Sequence, residues 1–135
     1  WRAAGSFTNE DGESLAVTGE SVITHGEDRW WVEGTMTLRT DQEVSFHNDY
    51  KVVPFPDGDQ STVWSSDNPV LGKLNGNFAL IGDRILSAYQ SEDGTHRGSE
   101  CLWRIDDDTY GGIGALFNGP RRISSWEVHL VREPE

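Results

Sequence analysis

A single cysteine, Cys101, stands in a chain of 135 residues. That count excludes an internal disulfide and a thiolate metal cluster, and it fits a reducing compartment such as the cytoplasm. Basic residues are scarce as well. Eleven Lys and Arg against 23 Asp and Glu leave a formal net charge of -12. Nucleic acid and anionic membrane surfaces both require a basic footprint, so neither is expected as a partner. No apolar run approaches the roughly 18 residues of a membrane span, and no signal peptide is visible. Because the sequence opens at Trp1 and not at Met, the expectation is a trimmed N-terminus from which any targeting segment has been removed. Internal repeats and low-complexity segments are lacking too.

Hydrophobic residues make up only 35% of the chain. Six Trp, five Phe and three Tyr offset this deficit, because each aromatic ring buries a large area. The length suits one domain over residues 1–135, with a core that needs no covalent staples.

The clearest pattern lies in Arg29–Val53. Trp30, Val32, Gly34, Met36 and Leu38 alternate with Trp31, Glu33, Thr35, Thr37 and Arg39; Val44, Phe46, Asn48, Tyr50 and Val52 alternate with Ser45, His47, Asp49, Lys51 and Val53. Side chains two apart on a strand share a face, so each segment reads as a long strand with one apolar side. The short polar stretch Thr40-Asp41-Gln42-Glu43 joins them as an antiparallel hairpin. Trp1–Phe7 reads as a lead-in whose Phe7 could plug one end of a barrel. Further strands are expected at Ser14–Thr24, Gln60–Ser65, Asn77–Gly82, Arg84–Ser91, His96–Ile105, Thr109–Phe117 and Arg121–Arg132. Pro54–Asp59 reads as a loop, and Pro69 is placed to start a short helix or a tight bend through Leu74. Glycines at 111, 112 and 114 mark a bulge, a bend or a close approach, best read as a barrel corner and not a phosphate loop. Eight or nine strands joined by short turns predict an all-β fold, an antiparallel up-and-down barrel with at most short helical turns.

Within such a barrel several residues are candidates for a ligand wall. Asn48 shares the apolar face of its strand with Phe46 and Tyr50, so its amide either finds neighbours or orients a ligand. Ser87 and Tyr89 share a face with Ile85, and Tyr110 adds a hydroxyl at the head of the Gly-rich strand. Trp64, Trp103 and Trp126, with Trp30, fall on different strands and offer either core packing or stacked rings for a planar molecule. Glu100 and Arg104 flank Leu102; a surface ion pair is the expectation, an inward pair the alternative. His47 with Asp49, and Glu127 with His129, are expected to face solvent, because metal or acid–base sites need groups that converge from several strands. Cys101 reads as an inert thiol, and Ser124-Ser125 lacks the setting of a nucleophile elbow.

The strand number, the Gly-rich turns and the scattered Trp residues together resemble the small lipocalin-like (calycin) barrels. Gly5-Ser6-Phe7 carries Phe where the Trp of that group's Gly-x-Trp stands. The resemblance implies a closed barrel around a central cavity. Intracellular proteins of this architecture include fatty-acid-binding proteins, haem-binding barrels, bilin-attachment proteins and barrel cyclases. Two functions follow as expectations. One is binding of a small, largely apolar molecule, including aromatic or cyclic ones, with no cofactor. The other is a cofactor-free cyclase or isomerase in which Asn48, Tyr50, Tyr89 or Tyr110 supplies hydrogen bonds or a proton. A filled barrel that serves as an interaction domain is the third reading, and a homodimer is left open. A buried carboxylate or several converging hydroxyls would favour catalysis over passive binding.

Overall fold

Strict alternation along each segment, carried round a full circle, produces the architecture. The computed structural model describes residues 1–39, 43–55 and 58–133. Its strands are β1 (Arg2–Thr8), β2 (Ser14–His25), β3 (Trp30–Arg39), β4 (Val44–Val52), β5 (Ser61–Asn68), β6 (Gly72–Ile81), β7 (Arg84–Ser91), β8 (His96–Asp106), β9 (Thr109–Asn118) and β10 (Arg121–Val131). Each strand pairs antiparallel with its neighbours in sequence, and β1 pairs with β10 to close the barrel. The fold is therefore all-β, antiparallel and up-and-down, with no helix among the described residues.

Ten strands replace the expected eight or nine. The additional one is β1, which reads in sequence as a lead-in. Ala3, Ala4 and Gly5 give it little amphipathic signal, and it becomes a strand by pairing with β2 on one side and β10 on the other. β5 and β6 run longer than expected, so the anticipated helix or bend through Leu74 shrinks to Pro69–Leu71. There the Asn68 side-chain carbonyl accepts from the amides of Val70 and Leu71. Of the expected turn Thr40–Glu43, residues 40–42 lie outside the described residues, as do 56 and 57 of the expected loop. Gly82 opens the two-residue turn between β6 and β7 at φ 59°, a conformation that L side chains rarely adopt.

Directly paired residues share a face, so the register identifies the interior. One ring of inward positions runs Phe78, Ser87, Glu100, Gly114, Trp126, Phe7 across β6, β7, β8, β9, β10 and β1. Another runs Val52, Trp64, Gly76, Tyr89, Gly98 across β4 to β8. The opposite face carries Glu33, His47, Asp49, Lys51, Glu127 and His129. It also carries exposed Val22, Trp31, Val63, Leu86 and Ile113.

Large rings inside this wall lie over glycines on the next strand. Trp64 covers Gly76, Tyr89 covers Gly98 and Trp126 covers Gly114; on the outer face Trp103 covers Gly111 in the same way. The Gly-rich segment of β9 is thus not a corner: its register is continuous from Tyr110 to Leu116 against both neighbours, and the shifts lie outside it, at Arg122/Ser124 and Arg104/Asp106. It is a flat bed for rings from both neighbours, where a Cβ would collide with an indole.

The buried apolar residues form two clusters, not one. Val17, Leu38 and Val128 gather Phe7, Met36 and Leu130, while Val52, Trp64 and Leu74 gather Trp30, Val32, Tyr50, Leu71, Phe78 and Tyr89. A filled domain of this size normally has one contiguous core. Ten strands also enclose more width than the eight that side chains just fill.

Candidate functional site

Glu100 stands in the gap between those clusters. Its two direct neighbours across the sheet are Ser87 on β7 and Gly114 on β9, both small, so the carboxylate arm projects inward over low walls. It makes no hydrogen bond or ion pair with a described residue. Among those residues no fully sealed side-chain oxygen or nitrogen lacks a partner. The Glu100 oxygens therefore border interior space that a water-sized body reaches. Removal from bulk water pushes the Glu100 pKa up to about 7. The expectation of an ion pair with Arg104 is overturned: that guanidinium is tied to Asp107 at the barrel end.

Two phenols complete the polar centre. Tyr50 on β4 and Tyr89 on β7 both have pKa values raised above the ordinary range, first by burial and second by the negative charge of Glu100. Both are thus neutral O–H donors across the usual pH range. The Trp64 indole packs edge-on to Tyr50 at 5.1 Å between centroids, and tilted to Tyr89 at 5.6 Å. Its Nε1 donates to the Ser87 hydroxyl at 3.1 Å. Phe78 packs tilted against Trp64 at 6.0 Å between centroids.

The expected wall residues divide. Tyr50, Trp64, Ser87 and Tyr89 come together around the centre, and Trp126 reaches it over Gly114, the residue opposite Glu100. Asn48 faces inward nearer the rim, where its Oδ1 accepts from Asn68 Nδ2 at 3.0 Å. Tyr110 also faces inward but lies at the opposite end, edge-on to Trp1 at 5.5 Å. There it lines an open depression of about 300 Å³ with Leu80, Ile85 and Arg104. Trp103 is corrected: it belongs to the outer face, opposite Gly111 on one side and Arg84 on the other. On β8 both faces mix apolar and polar residues, so choosing the Trp103 face as interior sends Glu100 outward. That single reversal accounts for both errors. The signal for Glu100 lay in its small neighbours Ser87 and Gly114, which emerge only once the register is known.

His47 and Asp49 form an exposed pair at 2.9 Å on the outer face, and no group of ligands fit for a metal ion occurs among the described residues. Among the described residues no helix is long and apolar enough to cross a membrane.

One stretch of wall is incomplete. β4 pairs with β5 through only Tyr50, Lys51 and Val52, whereas its pairing with β3 extends from Val44 to Val52. Toward the Val44 end the two strands are then held by the Asn48–Asn68 bond and by the Ser66 hydroxyl, which donates to the Asp49 carbonyl at 2.5 Å; at the other end the Val53 amide donates to the Val63 carbonyl and the Thr62 hydroxyl to the Val53 carbonyl. Val44 and Phe46 face inward by register yet are 41% and 36% exposed. The inner side of β4 is thus exposed to solvent at those two residues.

No protein-family model and no curated protein matches this chain.

Proposed function

We propose that the chain is a lipocalin-like barrel that holds one small, largely apolar molecule between its two apolar clusters. The observation that carries this reading is Glu100, a lone carboxylate inside an aromatic-lined interior that side chains do not close around it. Recognition sites for small molecules have this composition: mostly apolar walls and a few polar groups that fix orientation. Tyr50 and Tyr89 supply the donors, Glu100 the acceptor, and the gap beside β4 the route in. The acidic surface supports a partner that is neither nucleic acid nor an anionic membrane.

A second reading keeps the same site and makes it a cofactor-free cyclase or isomerase. It is favoured by the Glu100 pKa of about 7, because a carboxyl near the working pH both gives and takes a proton efficiently. In that case the barrel fixes the substrate's conformation and Glu100 moves a proton between two of its atoms.

Native mass spectrometry of protein purified from its own host tests the primary reading. A co-purified small molecule supports it and its mass narrows the class. Empty protein that also ignores apolar fluorescent probes overturns both readings in favour of an interaction domain. Empty protein that takes up probes and converts a cyclisable substrate supports the enzyme.

A further inference from the structure

We propose that the molecule held in this barrel is an apolar amine, bound as its ammonium ion against the Glu100 carboxylate. This rests on the reading of the interior as a binding chamber and adds the chemical class of the occupant.

The argument is one of missing counter-charge. A carboxylate taken out of water is costly unless it is paired, and proteins ordinarily provide an Arg, Lys or metal for the purpose. Here the strands packed around Glu100 present none. β7 offers Ser87 and Tyr89, β9 offers Gly112 and Gly114, and β4 offers Tyr50. The one cation on the same face of β8, Arg104, is committed to Asp107 at the barrel end. The titratable groups facing the carboxyl are the two phenols, and each responds to its negative charge. They can donate hydrogen bonds to it but cannot neutralise it.

The walls point to the same class. Trp64, Trp126, Tyr50 and Tyr89 all stand on the inner face, and aromatic rings attract an ammonium group and its adjacent methylenes. A ligand bearing its own carboxylate meets repulsion from Glu100 and no cation to hold it, so a fatty acid is disfavoured. A neutral ligand leaves the carboxyl to be satisfied by its own proton.

Calorimetric titration of the whole chain at pH 8 with octylamine, octanol and octanoate separates these cases, because the three share one apolar chain. The amine is expected to bind about tenfold or more tighter than the alcohol, as a charge-assisted hydrogen bond requires, and the acid more weakly than the alcohol. Glu100→Gln is expected to bring the amine to within about threefold of the alcohol while alcohol binding persists. Alcohol or acid binding equal to or tighter than the amine in the wild-type chain overturns the proposal and leaves the chamber reading intact. That ranking needs no variant, so it holds even where Glu100→Gln fails to fold. A Glu100→Gln chain that keeps the amine preference also overturns it. Failure of all three to bind removes the chamber reading, and the proposal with it.

Discussion

Trp64 and Ser87 are joined across an intervening strand: the indole Nε1 on β5 donates to the hydroxyl on β7 at 3.1 Å, over the backbone of Gly76 on β6. Only a glycine lets the ring lie that low. The bond fixes the orientation of the ring that both tyrosines touch. Ser87→Ala leaves a buried indole N–H without a partner and is expected to cost about 1–3 kcal/mol. Denaturant unfolding followed by Trp fluorescence reads this; an unchanged midpoint would mean that water replaces the hydroxyl.

Glu100 should make stability depend on pH with an unusual sign for a carboxylate. Folding raises its pKa from 4.5 to about 7, so the native state keeps a proton over a range in which the unfolded chain has lost it. Its contribution is complete below the unfolded value, falls as pH rises through that range, and levels off above it. The span is on the order of 3 kcal/mol. Relative to wild type, Glu100→Gln is therefore expected to gain stability steadily between pH 4.5 and pH 7. Urea melts of both chains at several pH values test this. A difference that stays constant with pH would place the carboxyl in bulk water.

The ring-on-glycine pairs predict an inside–outside contrast. Gly76→Ala drives a methyl into the Trp64 ring, which is hemmed by Tyr50, Phe78 and Tyr89 and has nowhere to go. A loss of roughly 1–3 kcal/mol and an altered near-ultraviolet circular dichroism spectrum are expected. Gly111→Ala meets Trp103, which can swing outward from the outer face, and should cost less than half as much. Equal losses at the two positions would contradict the difference in confinement.

Along β4 the short pairing with β5 should be visible in hydrogen exchange. Every second amide of residues 44–48 points away from β3, toward positions where β5 offers no rung. Those amides are expected to exchange at least roughly tenfold faster than the interior amides of β8 and β9, which are paired on both sides. Uniform protection around the barrel would close the proposed route into the interior.

Much of this architecture was legible in the alternation of residues 30–38 and 44–52, because one face there is apolar and the other polar. That alternation puts Asn48 and Tyr50 inward, where they are; Ser87 and Tyr89, which the sequence marks only as sharing the Ile85 face, are inward too. β8 was not legible in the same way. Glu100, Leu102 and Arg104 on one face, and Cys101 and Trp103 on the other, leave no contrast for the period to act on. Only the opposed glycines, Gly114 inside and Gly111 outside, settle which side a large residue can occupy, and those are contacts between strands. β1 was missed for the related reason that its strand character comes from two neighbours far along the chain.

The pairing of β1 with β10 concentrates the cost of assembly in one step. Every other pairing joins strands that are consecutive in sequence and can form as a local hairpin, with little chain to immobilise between partners. Arg2 meets Val131 only after nearly the whole described chain has been organised. Loop-closure entropy is paid there almost alone. Until that seam forms, β1 and β10 both present bare edges, which makes the nine-tenths-built sheet, and not the native barrel, the species most prone to pair with a second copy.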